Sequence, residues 1–147
     1  MSDTQEVKKT PWHLWTIGIV GLLWSSMGAM DFVMTQTKNE MYMSGFTPEQ
    51  LQFFYAIPLW AVVTWAIAVW GGVIGAVFLL LRKAIAERIF LTSFVAMIVT
   101  AFQNYILSNG LDVIGDVFAL IFTAVIFLVA LGLYWYSKAM KQKGVLT

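Results

Sequence analysis

Four polar side chains stand out because they interrupt long apolar runs: Asp31, Gln103, Asn104 and Asp116. A carboxylate inside hydrocarbon is costly, so it turns toward a bundle interior or water and commonly marks a path for a solute, ion or proton. Amides at such depth bond across helices or to a ligand. With ~1.5 Å of rise per helical residue, Asp31 lies about 28 Å along the run that begins at Trp12, close to its far edge. Gln103 and Asn104 lie roughly 20 Å beyond Ile89, and Asp116 about one turn inside the fourth run. Three runs thus bring polar groups to one depth, with Asn109 and Asp112 above them. That arrangement predicts a polar substrate-binding site opening toward the outer face of a membrane.

Each residue also has a purely structural explanation. Asp112 and Asp116 fall where the fourth helix begins, and a helix start favours carboxylates as caps and as partners of its positive end. Gln103 and Asn104 fit interhelical hydrogen bonding. Asp31 is different. It lies toward the negative end of its helix, between Met30 and Phe32. A structural role there requires headgroup water or an ion pair with Lys38; otherwise Asp31 is a candidate proton carrier.

Other chemistry has little support. There is no cysteine, which removes thiolate catalysis, disulfide exchange and iron–sulfur ligation. His13 is the single histidine, too few for a haem or zinc site. No phosphate-binding glycine loop, Ser/His/Asp set or HExxH occurs. Neither enzymatic activity nor a cofactor is expected.

The elements that must carry these residues are four apolar runs, Trp12–Met34, Pro58–Leu81, Ile89–Leu107 and Val113–Tyr136, each near the ~20 residues that cross a bilayer core. A chain of 147 residues with 60% hydrophobic residues and a mean hydropathy of +0.78 is too apolar for a soluble domain. Eight of its nine basic residues lie before the first run, between the second and third, or after the fourth; only Lys38 lies opposite. Basic residues remain on the cytoplasmic side during insertion. The expected fold is one all-α, integral-membrane four-helix bundle with both termini cytoplasmic and the lipid bilayer as its surroundings. The basic clusters abut spans and carry no nucleic-acid reader motif. The first run lacks a clean cleavage site and is expected to be retained.

Finer signals add local detail. Gly21, Ser25 and Ala29 recur every fourth residue in the first run, and Gly71 and Gly75 do so in the second. Such rows let helix backbones approach closely, within one bundle, in a homo-oligomer or against a larger membrane complex. Thr47-Pro48-Glu49-Gln50 reads as a helix start, and the aromatic stretch after it suits a short interfacial helix before Pro58. Lys83 and Glu87 are spaced to pair along one helix.

The runs Trp24-Ser25-Ser26-Met27-Gly28-Ala29-Met30-Asp31-Phe32-Val33-Met34-Thr35 and Phe46-Thr47-Pro48-Glu49-Gln50-Leu51 resemble a family of small bacterial inner-membrane proteins. Its members have four predicted spans over about this length and are often labelled sugar transporters. The resemblance implies a bacterial inner-membrane location and leans toward transport. Small multidrug transporters are similar in size and span count only, because the middle of the first span here is Val20-Gly21-Leu22-Leu23 rather than a carboxylate. Two functional classes follow. One is binding or transport of a small solute, such as a sugar, at an outward polar site. The other is an accessory subunit packed against a larger complex.

Overall fold

Pro11 has its φ fixed near the value the first helical turn needs, and α1 runs from there over Trp12–Gln36. In a computed structural model, which describes residues 10–107, 112 and 117–147, three more long apolar helices follow. They are α4 (Leu59–Leu80), α5 (Ile85–Phe102) and α6 (Val117–Gln142). Two short helices, α2 (Glu40–Met43) and α3 (Pro48–Tyr55), bridge α1 to α4. All four long helices have the length and hydropathy of membrane spans. Side chains such as Trp12, Leu23, Leu59 and Leu128 are two-thirds exposed or nearly so, as lipid-facing surface requires. The molecule is a multi-pass, all-α membrane bundle.

Span boundaries differ from the hydropathy reading at the end that carries the termini. The third span starts at Ile85 rather than Ile89, and the fourth runs on to Gln142 rather than stopping at Tyr136. Amphipathic stems of Glu87, Arg88, Lys138 and Lys141 extend the helices past the apolar run. Glu87 does not pair with Lys83; its carboxylate meets Lys141 at 3.1 Å, tying α5 to α6. The short helix before the second span is as expected. Thr47 accepts from the Gln50 amide, and the Gln50 side chain accepts from the Thr47 amide, a complete capping box. The turn of α2, capped by Asn39, has no counterpart in the sequence reading.

Lipid gives no hydrophobic drive for helix association, so close packing rests on small residues. The central helix is α4, flanked by α1 and α5. An ideal Cβ at Gly75 would lie 2.8 Å from the Phe90 ring, one at Gly71 3.0 Å from Ser93 Cβ, and one at Gly72 2.9 Å from Ser25 Oγ. The glycines of α4 therefore serve two neighbours, α5 on one face and α1 on the other. Gly21 of α1 takes the Leu133 side chain of α6, and Ala29 is buried.

The dense core occupies the half of the bundle next to the termini. Leu14, Ala76, Leu79, Ala86, Phe90, Leu133 and Met140 form it, joined by Val145 and Leu146 from the tail. Gly144, at φ +79, reverses the chain after α6, and the Thr147 amide donates to the Arg82 carbonyl. The Arg82 guanidinium donates to Thr10, so the two described ends of the chain meet on one residue.

Candidate functional site

The other half of the bundle is not filled. Between α1, α4, α5 and α6 lies a cavity of about 460 Å³, with a smaller one of about 200 Å³ beneath Phe46, Phe54 and Ile57 of the α2–α3 cap. Asp31, Trp65, Thr100 and Asn104 line both. The larger volume falls within the range that holds small ligands.

Asp31 is half-buried on the last turns of α1 and faces this space. It makes no ion pair with Lys38, one of the two roles that a structural reading offered. Lys38 is turned away, with Nζ 4.8 Å from the centre of the Tyr55 ring. Instead the Tyr42 hydroxyl donates to Asp31 Oδ1. Tyr42 belongs to α2 outside the spans. Burial, and then the Asp31 carboxylate beside it, push its pKa from 10.0 up to about 12, so the hydroxyl keeps its proton and remains a donor. Asp31 thereby holds the cap onto the bundle with one oxygen, and the other makes no hydrogen bond among the described residues.

Asn104 arrives by a different route. Its helix, α5, continues as a π-helix over Gln103–Leu107. The wider turn shifts the register of side chains, and π segments recur at binding sites. Asn104 and Tyr105 both reach the cavity wall. Asn104 Oδ1 is buried without a hydrogen-bond partner among the described residues, whereas the Tyr105 hydroxyl shares a hydrogen with Thr123 of α6 at 3.0 Å. Thr64 and Thr100 join α4 to α5 at 2.8 Å, and Ser93 Oγ donates to the Ala68 carbonyl. These crossings hold the helices apart at fixed spacing around the open volume.

Of the four residues expected to converge, Asp31 and Asn104 do. Gln103 is buried on another face of the π turn and lines neither cavity. Asp116 and Asn109 lie outside the described residues. Asp112 is exposed. The sequence offers Tyr42, Phe53, Tyr55, Trp60 and Tyr105 equally as aromatic faces for a sugar or as an interface belt, and gives no sign of Thr123 or Trp65 at the site; the Asn39 cap ahead of Tyr42 is the one available signal of α2. Tyr105 and Tyr42 line the site, while Phe53, Tyr55 and Trp60, the other aromatics offered for a sugar, do not.

The end near the termini is sealed. There the Tyr136 hydroxyl pairs with His13 Nδ1 across α6 and α1, over the Leu14–Leu79 core. Among the described residues, no three His, Asp or Glu side chains form a metal-binding group. Comparison with protein-family models, with curated proteins and with solved structures gives no match, so the reading of this site rests on its own residues.

Proposed function

We propose that this membrane protein binds a small solute in the cavity between its spans and transports it, with Asp31 as the charged anchor. The observation that carries the reading is the placement of Asp31: a carboxylate near a helix end, turned into a cavity of about 460 Å³ with one oxygen uncommitted. The basic residues flanking the termini and the α4–α5 turn support an orientation with both termini cytoplasmic, which directs the Asp31 half outward. The resemblance of the Trp24–Thr35 run to small bacterial inner-membrane proteins supports that membrane as the location.

An accessory role would need a small-residue face free for a partner. Gly21, Gly71 and Gly75 each meet a neighbouring span of the same chain, and so does Gly72 against Ser25. This favours the solute reading.

The test is a thermal-shift panel on the detergent-purified chain, with sugars, polyols, amino acids, amines and medium-chain alcohols. At least one class should raise the melting temperature of the parent and leave Asp31→Asn unmoved, the two proteins starting from similar values. Solutes that pass are then tried for uptake into proteoliposomes. Absence of any Asp31-dependent stabilisation rejects the site; stabilisation without uptake rejects transport and keeps binding.

A further inference from the structure

Resting on the binding site proposed above, we infer that its ligand is an amphiphile, an apolar body with a hydrogen-bond-donating hydroxyl or amine head, that enters from the bilayer between α1 and α6.

The head follows from what the polar end lacks. The Tyr42 hydroxyl is spent on Asp31 Oδ1, and the other carboxylate oxygen makes no hydrogen bond among the described residues. Asn104 Oδ1 is a second acceptor, buried and unpartnered. Leaving such groups unpaired in a low-dielectric site is costly, so the complementary ligand brings donors. No lysine or arginine lies among the described lining residues, so a carboxylate or phosphate head would meet Asp31 with none of them to neutralise it.

The body follows from the remaining wall. Below the polar end the cavity is bounded mainly by apolar side chains, among them Trp24, Met27, Met30, Phe122, Ile126 and Phe127, and the hydroxyls of Ser93, Thr100 and Thr123 there already donate to backbone carbonyls. A free sugar placed against these side chains would lose water from most of its hydroxyls without replacement. An alkyl or isoprenoid-like chain loses nothing there, and thioethers adapt to its shape.

The route follows from the seam. Near the termini α1 and α6 touch, through His13 with Tyr136 and Gly21 with Leu133. Farther along, the Trp24 and Phe122 rings meet at a tilt of 45°, with centres 5.8 Å apart. Met27 and Met30 line the cavity and are nevertheless 59% and 53% exposed, so the cavity reaches the lipid-facing surface at this seam.

The experiment uses the full chain in phosphatidylcholine nanodiscs, irradiated with a diazirine-bearing medium-chain alkanol, with labelled residues mapped by peptide mass spectrometry. Labelling between Trp24 and Met30 and between Phe122 and Phe127 should saturate. Excess dodecanol or dodecylamine should suppress it about tenfold, the worth of one good hydrogen bond. Dodecane, dodecanoate at pH 8 and glucose should not. Asp31→Asn should weaken dodecylamine about tenfold or more, because a charge-assisted bond is lost. Equal competition by dodecane or dodecanoate overturns the head assignment. Protection by glucose without saturation by the alkanol overturns the amphiphile and leaves the binding site standing. Neither saturation nor glucose protection removes both. For the route, Trp24→Cys with Phe122→Cys in this cysteine-free chain gives a pair that a short bifunctional thiol reagent can bridge. Bridging should abolish the labelling that the same pair shows unbridged; an unchanged rate after bridging refutes lateral entry.

Discussion

Gly75→Ala asks whether the bundle is held by backbone proximity at α4. The added methyl would sit 2.8 Å from Cδ1 and Cε1 of Phe90 and 3.1 Å from Cζ. Carbon atoms settle at about 3.5–4.0 Å, so ring or helix must retreat by roughly 0.7–1 Å. Phe90 is 2% exposed and belongs to the core with Leu79, Ala86 and Leu133, so its ring can yield only by edging into the cavity it also lines. Overpacking of this kind costs about 1–3 kcal/mol. Better helix propensity returns up to ~1 kcal/mol, leaving a net loss of about 1–2 kcal/mol. Gly132 on α6 is the control. Nothing lies within 4 Å of its ideal Cβ, so Gly132→Ala should gain about 0.5–1 kcal/mol. Unfolding both variants in mixed dodecylmaltoside–SDS micelles, followed by tryptophan fluorescence, gives the two free energies. Opposite signs are expected. A Gly75→Ala protein as stable as the parent would refute the close α4–α5 packing.

Three further outcomes can be checked. Tyr42 is held protonated in the fold, its pKa raised from 10.0 to about 12, so its contribution is fully present below pH 10 and is lost as pH climbs toward 12; Tyr42→Phe should flatten that limb of the stability curve, and superimposable curves for parent and variant would contradict it. Lys38 sits at φ 55, closing α1 with a left-handed residue, so Lys38→Gly should raise stability by about 0.5–1 kcal/mol, and a lower melting temperature would count against relief of strain. Single cysteines at Lys83 and Lys141 should resist a periplasmic thiol reagent that labels one at Lys38; labelling at Lys83 would invert the proposed orientation.

The four spans were legible because hydrocarbon thickness demands a run of apolar residues that little else explains. The α3 start was legible because Thr47, Pro48 and Gln50 carry a complete local code. What could not be read were matters of rotation and partnership. Depth placed Gln103 and Asn104 together, but the π turn sends one into packing and the other to the cavity. Hydropathy ends the fourth span at Tyr136, because it counts the lysines from Lys138 onward as a stop and cannot see Glu87 waiting across the bundle for Lys141. Asp31 was singled out as anomalous, yet its partner lies in a four-residue helix too short for any periodic signal. Val145 and Leu146 read as tail and are core, since burial there depends on a reversal at Gly144.

The cavity itself has a cause in side-chain size. Around the termini-side core, small residues face every neighbour: Gly75 receives Phe90, Gly21 receives Leu133, and Ala76 and Ala86 are wholly buried. Backbones approach there because nothing bulky stands between them. One and two turns farther along α1 the same kind of face presents Trp24 and Met27, opposed on α6 by Phe122 and Ile126. Rings and long thioethers cannot interpenetrate as a side chain enters a glycine notch, so α1 and α6 stand apart. The α5 side cannot close the gap either, because Thr64–Thr100 and Tyr105–Thr123 fix its distance from both neighbours. In water such a void would collapse or fill. In a bilayer the open seam costs little, since lipid chains solvate apolar walls as well as another helix would. The exception is the polar end, where Asp31 and Asn104 gain nothing from lipid chains. A seam open to lipid that ends on three acceptor oxygens is stable only with Tyr42 covering one of them, Asp31 Oδ1, and it favours a ligand that satisfies the rest.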